Sequence, residues 1–342
     1  MKRVSVVILN WNGVEMLQRF LPKVVEYSQG EGIEICVADN ASTDASCAWV
    51  GEDFPNVRLI TLDKNYGFAE GYNRALQQVE AEYVVLLNSD VEVTPHWLDA
   101  MLVYMDAHPE TAACQPKIRS ERNKEYFEYA GAAGGYMDKF GYPFCRGRIF
   151  DVVEKDHGQY DTVQPIFWAT GAALFIRLKD YREAGGLDAR FFAHMEEIDL
   201  CWRLRSRGRG IVCIPQSTVY HVGAATLKKE NPRKTFLNFR NNLLMLYKNL
   251  PEKELKRVMF IREVLDGVAT LVFLLKGEKE AARAVLQARK EFKRIRPDFE
   301  ASRAENMEKA VSAVIPERVD YSILWKYHAG RKKVFSSLPA MK

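Results

Sequence analysis

The residues best suited to chemistry are carboxylates placed where apolar runs stop. In "YVVLLNSDVEV" (83–93) five apolar residues lead straight into Asn88, Ser89 and Asp90. A buried strand that ends on an acid needs a partner for it, because a desolvated carboxylate is costly. Two arrangements suit the pattern. Asp90 begins the next turn or caps a helix after Thr94-Pro95, or it holds a metal ion at the carboxyl end of a parallel strand, where open α/β sheets place their ligands. Asp39, which closes "IEICVAD", is placed to accept from a ribose hydroxyl or a base N–H, or to form an Asx turn into the next helix. Glu196, Glu197 and Asp199 open the segment "MEEIDLCWRLRSRG". The helix dipole alone favours acids there, and Asp199 can pair with Arg203 one turn on. Glu196 and Asp199 share a face while Glu197 points roughly 100° away, so one acid can face a substrate while the others brace it. His221, in "STVYHVGAAT", reads by itself as a hydrogen-bonded residue near a strand end. Beside a metal at Asp90, imidazole and carboxylate together suit Mg²⁺ or Mn²⁺, with a diphosphate supplying the other oxygens.

The elements that must position these groups follow from periodicity. Residues 1 to 115 alternate apolar strand-like runs with amphipathic stretches, among them Val14 to Tyr27. Ser42 or Thr43 is expected to cap the second helix and Thr94 the fourth. Near-continuous apolar strands separated by helices predict an α/β protein, its parallel sheet covered on both faces. The four strand ends then share one edge. Asn10 and Asn12 follow the first, Asp39 the second, Asn65, Gly67 and Asn73 the third, and Asn88, Ser89 and Asp90 the fourth. A hydride-transfer dinucleotide fold is not indicated, since its fingerprint should follow strand one, where "NWNG" stands. Residues 119 to 165, rich in Gly, Tyr, Phe and charge, read as an excursion built for binding more than for core. Strand patterns return in "FWATGAALFIR" and "RGIVCIP", and Gly208 ends the helix between them. From about residue 226 the chain reads as helical and basic.

Composition narrows the classes. A length of 342 residues with 47% hydrophobic side chains allows about two domains and a large core. The net charge of +4 does not suggest a nucleic-acid partner. Six scattered cysteines form no CxxC pair, which argues against a zinc or redox motif. Cys36 and Cys213 fall inside apolar runs and fit a reducing compartment. The apolar run Val4 to Leu9 is too short for a signal peptide, and no segment reaches the roughly 18 apolar residues of a membrane span. The expected location is cytoplasmic.

Taken in order, "VSVVILNWNG", "VADNASTD", "NYGFAEGYNRAL", "LLNSDVEV", "ATGAALFIR", "FFAHMEEIDLCWRLRSRG", "YHVGAAT" and "FRNNLLMLYKN" resemble a family 2 glycosyltransferase of the GT-A fold, close to bacterial rhamnosyltransferase-like members. The likeness covers roughly residues 3 to 250. It implies a catalytic domain over 1–225, with a nucleotide-sugar half (1–115) and an acceptor half (116–225), and a helical C-terminal region over 226–342. By the same resemblance Asp39 contacts the nucleotide base, Asp90 is the acid of the DxD-like motif and His221 completes a metal shell. Glu197 stands where the family's catalytic base stands. Asn88 occupies a place where many members carry an acid, and Glu replaces the commoner Asp at the base, which leaves Glu196 and Glu197 as alternatives. The implied reaction is inverting transfer from dTDP-rhamnose or a UDP-sugar to a saccharide or lipid-linked saccharide, in cell-surface polysaccharide synthesis. Two rivals are a nucleotidyltransferase, which would want a basic loop after strand one, and a carbohydrate-binding relative without turnover. In the tail, Val268 to Leu275 flanked by Lys and Arg at 253, 256, 257, 262, 276 and 279 reads either as a packed helical subdomain or as a surface lying on an anionic membrane, at the inner face of the cell membrane.

Overall fold

Alternation along the first strand, β1 (Lys2–Asn10), sets the layering. Val4, Val6 and Ile8 face one apolar cluster and Val7 the other, because successive side chains on a strand point to opposite faces. A computed structural model describes residues 2–223, 231–312 and 314–339. After β1 come α1 (Val14–Tyr27), β2 (Ile33–Asp39), α2 (Ser46–Asp53), β3 (Arg58–Thr61), α3 (Gly67–Gln77), β4 (Ala81–Asn88), β5 (Val91–Val93), α4 (Asp99–Ala107) and β6 (Thr111–Ser120). Helix α1 buries Leu17, Phe20, Leu21 and Val24, the i, i+3, i+4, i+7 spacing of a core-facing helix.

A small antiparallel sheet follows, made of β7 (Gly135–Met137), β8 (Pro143–Cys145), β9 (Arg148–Ile149) and β10 (Val152–Val153). Next are β11 (Gln164–Pro165), β12 (Ala173–Arg177), α5 (Leu178–Glu183), α6 (Glu196–Ser206) and β13 (Gly210–His221). The main sheet runs β11-β13-β6-β12-β4-β1-β2-β3, with β5 also pairing β13. It is mainly parallel, but β12 lies antiparallel between β4 and β6. That insertion carries "ATGAALFIR" into the centre of the sheet.

Three expectations need correction. The fourth helix starts at Asp99, not after Thr94. Residues 91–93 pair with β13 instead, and the Thr94 hydroxyl donates to the Thr218 carbonyl at 2.7 Å. The second helix starts at Ser46, and Asp44 accepts from the Ser46 N–H, while the Ser42 hydroxyl accepts from Asn12 N. The stretch 119–165 is largely core: Phe127, Ala132, Ala133, Tyr136, Met137, Phe144, Cys145 and Ile149 are all buried.

The C-terminal region is helical, with α7 (Pro232–Asn249), α8 (Glu252–Leu275), α9 (Lys279–Ile295), α10 (Glu300–Glu308) and α11 (Ile323–His328). Leu243, Leu246, Val258, Phe292 and Ile323 belong to the same apolar cluster as Val7 and Leu86. Arg262, expected among the basic flanks of an exposed stretch, is 2% exposed and bonds Asn242 and Asp266.

Candidate active site

Strand register assembles the first half of the site. Asn10 lies opposite Asp39, and Leu9 opposite Asn88, so the ends of β1, β2 and β4 form one edge. Asn10 Nδ2 donates to Asp39 Oδ1 at 3.1 Å, and Asp39 Oδ2 accepts from Ser42 N at 2.8 Å. Asn10 Oδ1 is buried without a partner. Asn12 is exposed and its Oδ1 accepts from Thr43 N at 2.7 Å, tying the loops after β1 and β2 together. Asn65 Oδ1 accepts from Gly67 N at 2.8 Å and from Asn40 Nδ2 at 3.1 Å. Asn73 is turned elsewhere, donating to the Leu187 carbonyl and accepting from the Tyr181 hydroxyl, both at 2.7 Å.

Asp90 finds its partner 131 residues away. His221 Nε2 lies 3.1 Å from Asp90 Oδ1, and His221 Nδ1 lies 3.3 Å from Glu128 Oε2, an ion-pair contact. All three side chains are buried. Burial alone would discharge the imidazole, but the two carboxylates outweigh it and lift its pKa to about 10. Burial works to raise the Asp90 carboxyl as well, and His221 holds it below its usual value. Gly223 caps this group from above: a Cβ there would sit 2.5 Å from Glu128 Oε1, at a φ of +66° that L side chains rarely adopt. Glu128 lies in "EYFEYAGA", which carries no motif that would have identified it.

A divalent cation fits this donor set. The groups are an ionised carboxylate and an imidazole whose far nitrogen faces a second carboxylate, the usual arrangement behind a metal-bound histidine. Among the described residues no three His, Cys, Asp or Glu side chains converge on a common point. Among the described residues, Asp90 and His221 would serve as ligands, as suits an ion completed by phosphate oxygens.

The second half of the site is a strained loop that feeds α6. Phe192, His194 and Met195 have φ of 66°, 70° and 75°. Three left-handed non-glycine residues within four positions cost of order 1–3 kcal/mol each and persist only when surroundings over-determine them. Helix α7 does this: Asn241 Nδ2 donates to the carbonyls of Phe191, Ala193 and His194 at 2.9, 2.8 and 2.8 Å. The other side is tied to the first half, since Phe68 N donates to the Phe192 carbonyl at 3.1 Å. Gly67 is required there, because a Cβ would lie 2.7 Å from the Phe192 ring.

The loop delivers Glu196 and Glu197, each with an Oε2 that is dry and unbonded. Glu197 is partly open to solvent and Glu196 is buried. Burial lifts the Glu197 carboxyl to about 7, against the pull of its own N–H and that of Ile198. Glu196 is also pushed well above the usual carboxylate range, by burial first and then by the charge of Glu197. Asp199 is fully engaged: Oδ2 accepts from Arg203 Nε at 3.0 Å and Lys248 Nζ at 2.8 Å, and Oδ1 from Asn249 Nδ2 at 2.8 Å. It locks α6 to α7. His194 Nε2 is also buried without a partner, and burial, aided by Lys234, lowers that ring to about 4, so it is neutral.

A short bridge joins the two halves. Glu197 Cβ lies 3.8 Å from where a Cβ on Gly171 would stand, and the next residue, Ala172, accepts from Asn88 N at 3.0 Å. The Cβ of Glu197 thus stands beside the residue that precedes Ala172, the partner of Asn88 at the strand end.

Comparison with known proteins finds relatives in sequence and in fold. A family model described as Glycosyl transferase family 2 matches residues 5–156. The chain is 26% identical over 232 residues to N-acetylglucosaminyl-diphospho-decaprenol L-rhamnosyltransferase of Mycobacterium tuberculosis, covering 64% of this chain and 75% of that protein. It is 24% identical to the low-salt glycan biosynthesis hexosyltransferase Agl10 of Haloferax volcanii, covering 70% and 74%. Among solved structures, S. aureus TarS 1-349 in complex with UDP-GlcNAc superposes with a TM-score of 0.57 at 16% identity, over 90% of this chain and 89% of that one. Mannosyltransferase PcManGT from Pyrobaculum calidifontis, in complex with GDP-Man and Mn²⁺, gives 0.52 at 14% identity, over 90% and 84%. Residues 5–156 match the Glycosyl transferase family 2 model, and the chain has the GT-A fold.

Proposed function

We propose that this glycosyltransferase moves a hexose from dTDP-rhamnose or a UDP-sugar to a saccharide or lipid-linked saccharide acceptor, with inversion, in the synthesis of a cell-surface polysaccharide. The observation that carries the reading is that Glu197, with a buried, unbonded Oε2, has its Cβ beside Gly171, and the next residue, Ala172, pairs with the end of β4 that leads to Asp90. The relatives support the substrate class: one is named for a rhamnosyl transfer to a diphospho-decaprenol-linked sugar, and one structural neighbour holds UDP-GlcNAc. A lipid-linked acceptor places the work at the inner face of the cell membrane.

In this reading Asn10, Asp39, Asn65 and Gly67 form the nucleotide cradle, and Asn88 and Ser89 border the diphosphate. Asp90 and His221 would hold Mg²⁺ or Mn²⁺, which would supply Lewis-acid stabilisation of the departing diphosphate. Glu197 takes the proton of the acceptor hydroxyl as that oxygen attacks the anomeric carbon. A single displacement with one base inverts the centre. Burial of Glu196 disfavours a second charge beside the base. Asp199 acts as the positioning residue that fixes α6.

A thermal-shift panel of dTDP-, UDP- and GDP-sugars with and without Mn²⁺ tests the proposal. One nucleotide class is expected to stabilise the protein, and more so with Mn²⁺, since ligand binding adds RT ln(1 + [L]/Kd). No shift with any nucleotide-sugar at millimolar concentration would refute it. The same assay reports on Glu128. Glu128→Gln is expected to weaken Mn²⁺ binding about 10–100-fold, the usual cost of losing a carboxylate behind a ligating histidine. An unchanged Mn²⁺ midpoint would remove Glu128 from the metal assembly.

A further inference from the structure

Helix α8 carries a broad apolar face that no other element among the described residues covers. Phe260 is 68% exposed, Val264 54%, Val268 53%, Leu271 56% and Leu275 79%. Their spacing of four, four, three and four residues aligns them along one side of the helix. Val272 and Leu274 widen the stripe. The opposite side is already packed: Val258, Arg262, Asp266 and Thr270 are buried, and Arg289 reaches across from α9 to Asp266. The stripe is therefore not a seam awaiting the rest of the core, and so long an exposed apolar patch is the mark of an interaction surface.

The charge of the region indicates the partner. Residues 226–342 hold 26 Lys and Arg against 14 Asp and Glu, a net +12, whereas residues 1–225 hold 23 against 31, a net −8. Exposed Lys253, Lys256 and Arg257 stand at the start of the stripe, with Lys276 and Lys279 at its end. A second copy of this chain docked through α8 would bring two such cationic regions together, which like charges oppose. An anionic bilayer offers the opposite charge and an apolar interior at the right depth for a helix lying flat. No helix among the described residues is long and apolar enough to cross a membrane.

We infer that the Phe260–Leu275 face of α8 is a membrane-docking surface: the helix lies in the plane of an anionic leaflet with its stripe among the acyl chains and its terminal lysines against the headgroups. This rests on the proposed lipid-linked acceptor and specifies how the enzyme reaches it.

Sedimentation of the full chain with vesicles tests the inference. Binding to phosphatidylglycerol-containing vesicles is expected to exceed binding to pure phosphatidylcholine by at least about tenfold at low salt, and to fall about as much in high salt. A Val264→Gln, Val268→Gln, Leu271→Gln variant should lose about tenfold in vesicle affinity. So should one with Glu at Lys253, Lys256, Lys276 and Lys279. Both sets are solvent-facing and outside the active site, so an unchanged melting temperature and unchanged donor binding certify the fold. Negligible wild-type binding to both vesicle types overturns the inference, as does a concentration-dependent dimer that the apolar variant abolishes while vesicle binding is absent. Turnover on a water-soluble acceptor separates the two readings. Activity without vesicle binding sinks the docking face alone, and vesicle binding without activity on any sugar donor sinks the proposed reaction alone.

Discussion

Asp90→Ala is expected to abolish turnover and the Mn²⁺-dependent part of nucleotide binding, while leaving metal-free nucleotide binding largely in place. Asp90 lies in the short turn between β4 and β5 at the sheet edge, and its buried partner His221 is fixed by pairing of β13 with β5. Removing it takes away one of the two ligands that the proposed site offers a cation among the described residues. The fold should survive. Glu128 still balances the His221 ring, so the stability loss stays below the roughly 3–5 kcal/mol of an uncompensated buried charge. Nucleotide titrations with Mn²⁺ and with EDTA, on a variant checked by circular dichroism, decide the matter. If the variant retains wild-type activity in the presence of EDTA, Asp90 has no part in holding a metal.

How far the site was legible depends on the range of the contacts involved. The strand ends were readable because apolar runs stop on polar residues, and parallel register then brings Asn10, Asp39 and Asn88 to one edge. Glu197 stood out by position within "HMEEIDL". Local rules failed where a distant strand intervened. Thr94 looked like a helix cap, yet β13 recruits residues 91–93 as a strand and takes the Thr94 hydroxyl. Arg262 looked like one more exposed base in a basic helix, and only the arrival of Asn242 and Asp266 shows it as buried.

The bends that aim Glu196 and Glu197 left no trace in the sequence either. Left-handed backbone at Phe192, His194 and Met195 goes against the preference of each residue. It is imposed by Asn241 from a helix nearly 50 residues on. Glu128 has the same cause: its role exists only because β13 brings His221 beside it.

Glu197→Gln is expected to lower kcat by about 10²–10⁴, the usual cost of a lost general base, with donor affinity nearly unchanged. It should also make the protein more stable at neutral pH. Below about pH 4.5 the carboxyl is protonated in both folded and unfolded chains, so it contributes no difference. Between there and about 7 the unfolded chain ionises while the folded site keeps its proton, so stability drains away as pH rises. Above the folded pKa the loss is complete, at roughly 3 kcal/mol for a shift of this size. Gln carries no such loss, so the variant should match wild type near pH 4 and melt several degrees higher at pH 8. The same ionisation governs catalysis with the opposite benefit. The base form accumulates as pH rises, giving wild-type kcat/KM an acidic limb with an apparent pKa near 7 that belongs to the Glu196–Glu197 pair. Steady-state kinetics and melting curves from pH 4 to 9 test both halves. Collapse of donor affinity with an intact rate at saturation would make Glu197 a binding residue, and a large rate loss confined to Glu196→Gln would move the base to its neighbour. A melting difference that does not grow with pH would mean that Glu197 is already ionised in the folded enzyme, leaving its burial without the stability cost argued for it.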